Sequence, residues 1–270
     1  MRLALSTSVT AIATLFCLGA AQAADLRPAY KAPPPAPAPV IYNWSGFYIG
    51  GFAGGAWGAN SNHTDVNGWN GFGNSWSHDL GSSFIGGGTL GWNWQASGSP
   101  WVWGVEGEFG YMRLTGEGAD PFSPGFDTVG RGRIGDWYGF AGGRLGYAWD
   151  RTLVYAKGGA AFVNAHRGVF DNCAVGVCGP GLISANNDET LTTWAVGGGV
   201  EWAWINNWSF KIEYLFIDLK DADVCGTSSV GGTFCFRHEL DNVHTVKAGL
   251  NYKFDWGWGK TPASPVVARY

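Results

Sequence analysis

The chain has 270 residues and a formal net charge of −4, with only 14% charged residues but 44 glycines and 16 tryptophans. The acidic balance argues against nucleic acid as a partner, and the glycine and tryptophan contents lie far from those of an average soluble domain. A soluble β-sandwich or lectin can share such a composition, so the order of the residues has to decide.

The first predicted element is a secretory signal. Met1-Arg2, an apolar run over 11–20 and Ala21-Gln22-Ala23 give the charged start, short apolar centre and small-x-small site of one, with cleavage between Ala23 and Ala24. The run is too short for a spanning helix, and no later segment approaches the ~20 apolar residues that one needs. Cys17 lies within the signal and leaves with it. Next come Pro28, Pro33, Pro34, Pro35, Pro37 and Pro39, which favour extended polyproline geometry and make 24–42 a spacer without core-forming pattern. The division is therefore signal 1–23, periplasmic linker 24–42, β-barrel 43–258 and a periplasmic tail 259–270.

Alternation then predicts strands over 46–58, 84–95, 101–114, 137–149, 153–164, 192–204, 208–217 and 243–254. The clearest pair sets Trp194, Val196, Val200, Trp202 and Trp204 against Thr193, Gly197, Gly199 and Glu201, then Phe210, Ile212, Tyr214 and Phe216 against Lys211 and Glu213. One face is rings; the other is glycine and charge. A glycine-and-charge face cannot fill a soluble core, whereas rings turned to hydrocarbon around a polar interior suit a transmembrane barrel. The connectors alternate between short and long. This predicts an all-β fold: an eight-stranded antiparallel up-and-down transmembrane β-barrel with four long extracellular loops, three short periplasmic turns and both termini periplasmic. The first strand has apolar residues at both parities, so its facing stays open.

Tryptophan supports this reading, because indole favours the interface between membrane and water. Trp92, Trp94, Trp101, Trp103, Trp149, Trp202, Trp204 and Trp208 flank the three short turns, and Trp256 and Trp258 follow the last strand. A soluble sandwich offers no reason for that concentration. The opposite parity places Glu106, Glu108, Arg144, Lys157, Glu201, Lys211, Glu213, Lys247 and Lys253 inside. An eight-stranded interior is about wide enough for its own side chains, so these charges are expected to pair as a structural network; a narrow gated pore is the competing view.

In the last strand, Lys247, Gly249, Tyr252 and Phe254 form a polar-x-Gly-x-x-aromatic-x-aromatic pattern similar to the signal by which outer-membrane barrels are recognised for insertion, although further residues follow it here. Together with Asn43-Trp44-Ser45-Gly46-Phe47-Tyr48-Ile49-Gly50-Gly51 after the Pro-rich stretch, and Tyr155-Ala156-Lys157-Gly158-Gly159, it resembles the alphaproteobacterial small outer-membrane barrels called outer-membrane immunogenic or opacity-like proteins. That resemblance implies an abundant envelope and surface protein, porin-like or haem-binding in some relatives.

Four cysteines remain after processing, and disulfides Cys173–Cys178 and Cys225–Cys235 within loops are favoured over zinc ligation, since paired Cys-x-x-Cys units are absent. Gly130-Arg131-Gly132-Arg133-Ile134-Gly135 matches the dinucleotide fingerprint in letters, but lacks the strand-to-helix context and reads as a flexible loop. His63, His78, His166, His238 and His244 fall in or beside the outer loops and read as solvated; haem ligation or an outer-membrane hydrolase is the sharper alternative. The expectation is a monomeric, non-enzymatic barrel that stabilises the envelope and displays its loops, with no cofactor or metal. Its expected partners are outer-membrane lipid and lipopolysaccharide, the barrel-assembly machinery, and a host surface or peptidoglycan. A small porin is the alternative, and a haem- or host-ligand-binding surface protein a lesser one.

Overall fold

A computed structural model describes residues 42–171, 181–205 and 207–254. The cleavage site at Ala23 and Ala24, most of the linker, Cys173, Cys178, Trp256, Trp258 and the tail lie outside them. Twelve strands are present among the described residues: β1 (Gly46–Trp57), β2 (Asn60–Asp65), β3 (Ser75–Asp79), β4 (Ser82–Gln95), β5 (Trp101–Ala119), β6 (Thr128–Trp149), β7 (Thr152–Asp171), β8 (Ile183–Ile205), β9 (Trp208–Ile217), β10 (Ala222–Thr227), β11 (Thr233–Leu240) and β12 (Val243–Lys253). Eight close into a ring in the order β1-β12-β9-β8-β7-β6-β5-β4. Neighbours in the ring are antiparallel, as hairpin connections require.

Period-two alternation sets the facing. Trp194, Val196, Val200, Trp202 and Trp204 of β8 and Phe210, Ile212 and Tyr214 of β9 are exposed on the outer surface, while Glu201, Lys211 and Glu213 are buried inside. The facing of β1 is now defined: Phe47 and Ile49 point out, and Tyr48, Phe52 and Ala56 point in. Tryptophans 92, 94, 101, 103, 149, 202, 204 and 208 are exposed around the short-turn end. At the other end Trp57 stacks on His244, Phe109 on Trp137, and Trp194 packs with Phe216. The two rims bound an apolar band.

Strand length departs from the expectation. β5, β6, β7 and β8 have 19, 22, 20 and 23 residues, about twice the ~9–11 that cross a bilayer, so the second and third long connectors are mostly continuations of the wall. The first and fourth fold into a separate sheet, β10-β11-β2-β3. It meets the extended tips at both edges, through Thr115 N–H to Leu80 O at 3.0 Å and Ser229 N–H to Leu182 O at 3.0 Å. The tips and this second sheet together form a cap beyond the aromatic rim. Cys225 and Cys235 face each other across β10 and β11 and form a disulfide, so they tie strands rather than a loop.

The segment expected as a flexible loop over 130–135 is part of β6. Its glycines meet long-range demands: a Cβ on Gly130 would stand 2.6 Å from the His63 ring, and one on Gly132 would stand 2.9 Å from Leu80. Gly135 has φ +110° and a Cβ there would overlap the Met112 carbonyl oxygen. It opens a bulge between Ile134 and Tyr138, where Asp136 takes φ 76° and accepts ion pairs from Arg113 at 3.3 Å and Arg133 at 3.5 Å.

Candidate functional site

The interior is filled in layers from the short-turn end upward. First comes Trp44, buried against Val102, Leu153, Tyr155 and Ala203, with its backbone N–H donating to Gln95 Oε1 at 2.9 Å. Lys253 sits at this rim, donating to the Asn43 carbonyl and lying 4.2 Å from the Tyr42 ring centroid. Lys253 stands opposite inward-facing Tyr48, two residues past the Asn251 that bonds Glu201, but its ammonium turns to Asn43 and not to the other eight inward charges.

Those eight form the second layer, four carboxylates against four cations. Lys157 Nζ lies 2.8 Å from Glu106, 2.7 Å from Glu108 and 2.6 Å from Glu213. Lys247 reaches Glu108 at 2.5 Å and Glu213 at 2.9 Å. Lys211 stands between Glu106, Glu108 and Glu213 at 3.5–3.7 Å. Arg144 bridges Glu106 at 3.3 Å and Glu201 at 2.8 Å, its guanidinium 4.2 Å from the Tyr155 ring centroid. Hydroxyls complete the carboxylates: Tyr48 donates to Glu106, Tyr138 to Glu108 and Tyr155 to Glu213, at 2.7–2.8 Å. Glu201 accepts from Ser209 and Asn251. Buried charge persists only when paired and hydrogen-bonded in this way. The Tyr48 ring fits because Gly91 leaves it room. Glu106, Glu108 and Glu213 converge closely enough to hold a metal ion, but the Lys157 ammonium forms an ion pair with each of them, so the chain supplies its own cation there.

Above the charges the interior turns apolar, which the polar-interior expectation missed. Ile85, Met112, Leu114, Ile134, Tyr138, Val163, Leu215, Ile217 and Val243 belong to one fully buried cluster. The signal was present in β5, where Met112 and Leu114 keep the inward parity of Glu106 and Glu108. A wall that faces charge low down and hydrocarbon higher up is legible by following that parity.

In the cap lies a third group. His63 and His238 oppose each other across β2 and β11 and are fully buried, so they are not the solvated loop histidines expected. His63 Nδ1 is 3.1 Å from His238 Nε2, and His63 Nε2 is 3.3 Å from His78 Nδ1. Burial lowers the His63 pKa to about 2 and that of His238 to about 3, the Arg167 charge adding to the latter; His78 is lowered less far, again by burial. With both nitrogens of His63 engaged, haem ligation there would require the cap to open. His166 is paired instead with Asp188 at 2.7 Å, and His244 Nδ1 with the Tyr214 hydroxyl at 2.7 Å.

On β12, Lys247 and Gly249 point inward, while at the short-turn rim Tyr252 packs edge to face at 5.2 Å with Phe254, just past the strand.

The family match and the similar sequences agree with this architecture. The outer membrane protein beta-barrel domain matches residues 10–254. The 31 kDa outer-membrane immunogenic protein of Brucella melitensis is 31% identical over 255 residues, spanning 92% of this chain and 99% of that protein. The 22 kDa outer membrane protein of Rhizobium leguminosarum is 29% identical over 222 residues, spanning 81% of this chain and 82% of its own. Among solved structures, the outer membrane protein OprG of Pseudomonas aeruginosa aligns with a TM-score of 0.44 and 13% identity, over 78% of this chain and 97% of OprG.

Proposed function

The chain belongs to the outer membrane protein beta-barrel domain family, and on that premise we propose that it is a closed, non-conducting barrel that stabilises the envelope and presents its cap at the cell surface. It is an outer-membrane protein of the kind whose relatives are named immunogenic and outer membrane proteins, and no catalytic step is part of this reading. The observation that carries the proposal is the continuous filling of the lumen. Trp44, the paired charge layer and the apolar cluster around Met112 and Tyr138 follow one another along the lumen, all of them buried. Ions need water or fixed dipoles along a path, and an apolar layer above a neutralised charge layer offers neither.

The described chain enters at Tyr42 and leaves at Phe254 at the short-turn end, where β1 residue Tyr48 pairs with Lys253. This supports placing the short turns in the periplasm and the cap outside. The aromatics Tyr252, at the end of the closing strand, and Phe254, just past it, support their reading as the barrel-assembly signal, together with Lys247 and Gly249.

Planar-bilayer recording of the refolded protein tests the proposal. The expected trace is silent at ±100 mV, and discrete reproducible channels would overturn it. The family resemblance to porin-like proteins makes the experiment decisive, since a conducting relative needs a lumen that this sequence fills.

A further inference from the structure

Three imidazoles of the β10-β11-β2-β3 sheet contact one another and pack against the facing wall of the cap. His63 and His78 belong to β2 and β3, and the facing wall meets them with glycine. A Cβ on Gly130 would stand 2.6 Å from the His63 ring, and one on Gly118 2.7 Å from His78. Beside them, Trp76 stacks on His63 at 5.0 Å and heads an apolar cluster with Val169, Ile183, Phe234 and Phe236. We propose that His63, His78 and His238 form an acid-sensitive latch. Neutral, they hold the β10-β11-β2-β3 sheet against the tips of β5–β8; protonated, they release it and expose the Trp76, Phe234 and Phe236 surface.

Proton counting carries the argument. Neutral His63 has one N–H and one lone pair, so it donates in one of its two histidine contacts and accepts in the other. A second proton added to the trio sets N–H against N–H at 3.1 or 3.3 Å. No neighbouring carboxylate offers relief, and only the neutral Ser61 hydroxyl, 3.2 Å from His63 Nε2, can accept from His63 in place of His78. On β2, Asp65 uses its oxygens on the backbone N–H groups of Asn67, Gly68 and Asn70. From β7, Arg167 brings positive charge, tied to Glu189 of β8 and the Lys220 carbonyl. On β10, Asp223 acts on His238 but is already paired with Arg237 of β11. Glu117 of β5, Asp79 of β3 and the Gly116 backbone favour a proton on His78 alone. β6 contributes Gly130 and Gly132, with Arg131 exposed on its outer side. His238 Nδ1 is buried without a partner.

The linkage has one sign. Closed-state values of about 2 for His63 and about 3 for His238 lie below the ordinary ~6.5, so the closed cap excludes protons that the open cap binds. Closure is therefore fully favoured above pH ~6.5 and is lost as pH falls below it. Two excluded protons raise the opening constant about a thousandfold between pH ~6.5 and ~4.5.

Hydrogen-exchange mass spectrometry of the full-length protein refolded in lipid tests this, after correction for intrinsic exchange. The expected result is a reversible loss of protection in β2, β3 and β11, at least about a hundredfold at pH ~4.5 relative to pH ~7.5, with β1, β9 and β12 still protected. The H63Q/H238Q protein keeps polar contacts without titrating and should stay closed at the lower pH. Equal wild-type protection at both values overturns the latch, as does the same acid loss in the double variant. If that variant is already open at neutral pH, NMR of the wild-type histidine rings decides. Protonation coincident with opening supports the latch, and rings that titrate near pH ~6.5 with the cap still closed refute it.

Discussion

The K157M protein is expected to lose about 3–5 kcal/mol of stability, the cost of leaving buried carboxylates without their cation. The Lys157 ammonium is the point at which Glu106, Glu108 and Glu213 meet, at 2.6–2.8 Å and fully buried. Methionine fills much of the space but offers no donor, so beyond the Arg144–Glu106 pair three carboxylates share two lysines, of which only Lys247 approaches within hydrogen-bonding distance of two of them. Urea unfolding of the refolded protein, followed by the shift of the folded band on gels, measures the loss. Adding E108Q removes one negative charge and should restore part of it, giving a coupling of at least ~1 kcal/mol. A single variant as stable as wild type, or a strictly additive double, would show that the layer is charge filling space and not a network. The barrel without Lys157 should also remain silent in bilayers, since the apolar layer above is untouched.

The second large effect is expected from G135V. Gly135 combines φ +110° with a Cβ position that the Met112 carbonyl already occupies, so valine there adds backbone strain of ~1–3 kcal/mol to a clash that only a shift of β5 against β6 relieves. Because the bulge sits where the lipid-facing wall passes into the cap, that shift disturbs the Arg113–Asp136 pair and the register on both sides. Refolding yield should fall severalfold and the protein should migrate as unfolded. Gly143 is the control: a Cβ there meets only the Gly104 carbonyl at 3.8 Å, and G143A should refold normally. Equal yields for the two variants would mean that the bulge is pliable.

These two sites also divide what is visible along the chain from what is not. Lys157 could be placed inside from its own strand, since its neighbours Val154 and Ala156 take the other parity and the tryptophan rims fix the span. Gly135 could not. Its letters fit a loop or a nucleotide motif, and only the Met112 carbonyl on the next strand shows why glycine is needed. The same holds for Gly130 and Gly132, whose partners His63 and Leu80 lie more than fifty residues away.

The sequence by itself determined the eight membrane-spanning strands, the tryptophans of the short-turn rim among the described residues, and eight of the nine charges expected inside. Each follows from local period-two alternation in a solvent that allows no unpaired backbone, so the information lies within about ten consecutive residues. Only the tertiary structure decided that the long connectors continue as strands and fold into a cap, that Lys253 stays at the rim, and that His63, His78 and His238 meet. Those segments alternate glycine with polar residues, which hides their facing; it is set by partners on distant strands whose rings and ladders they complete.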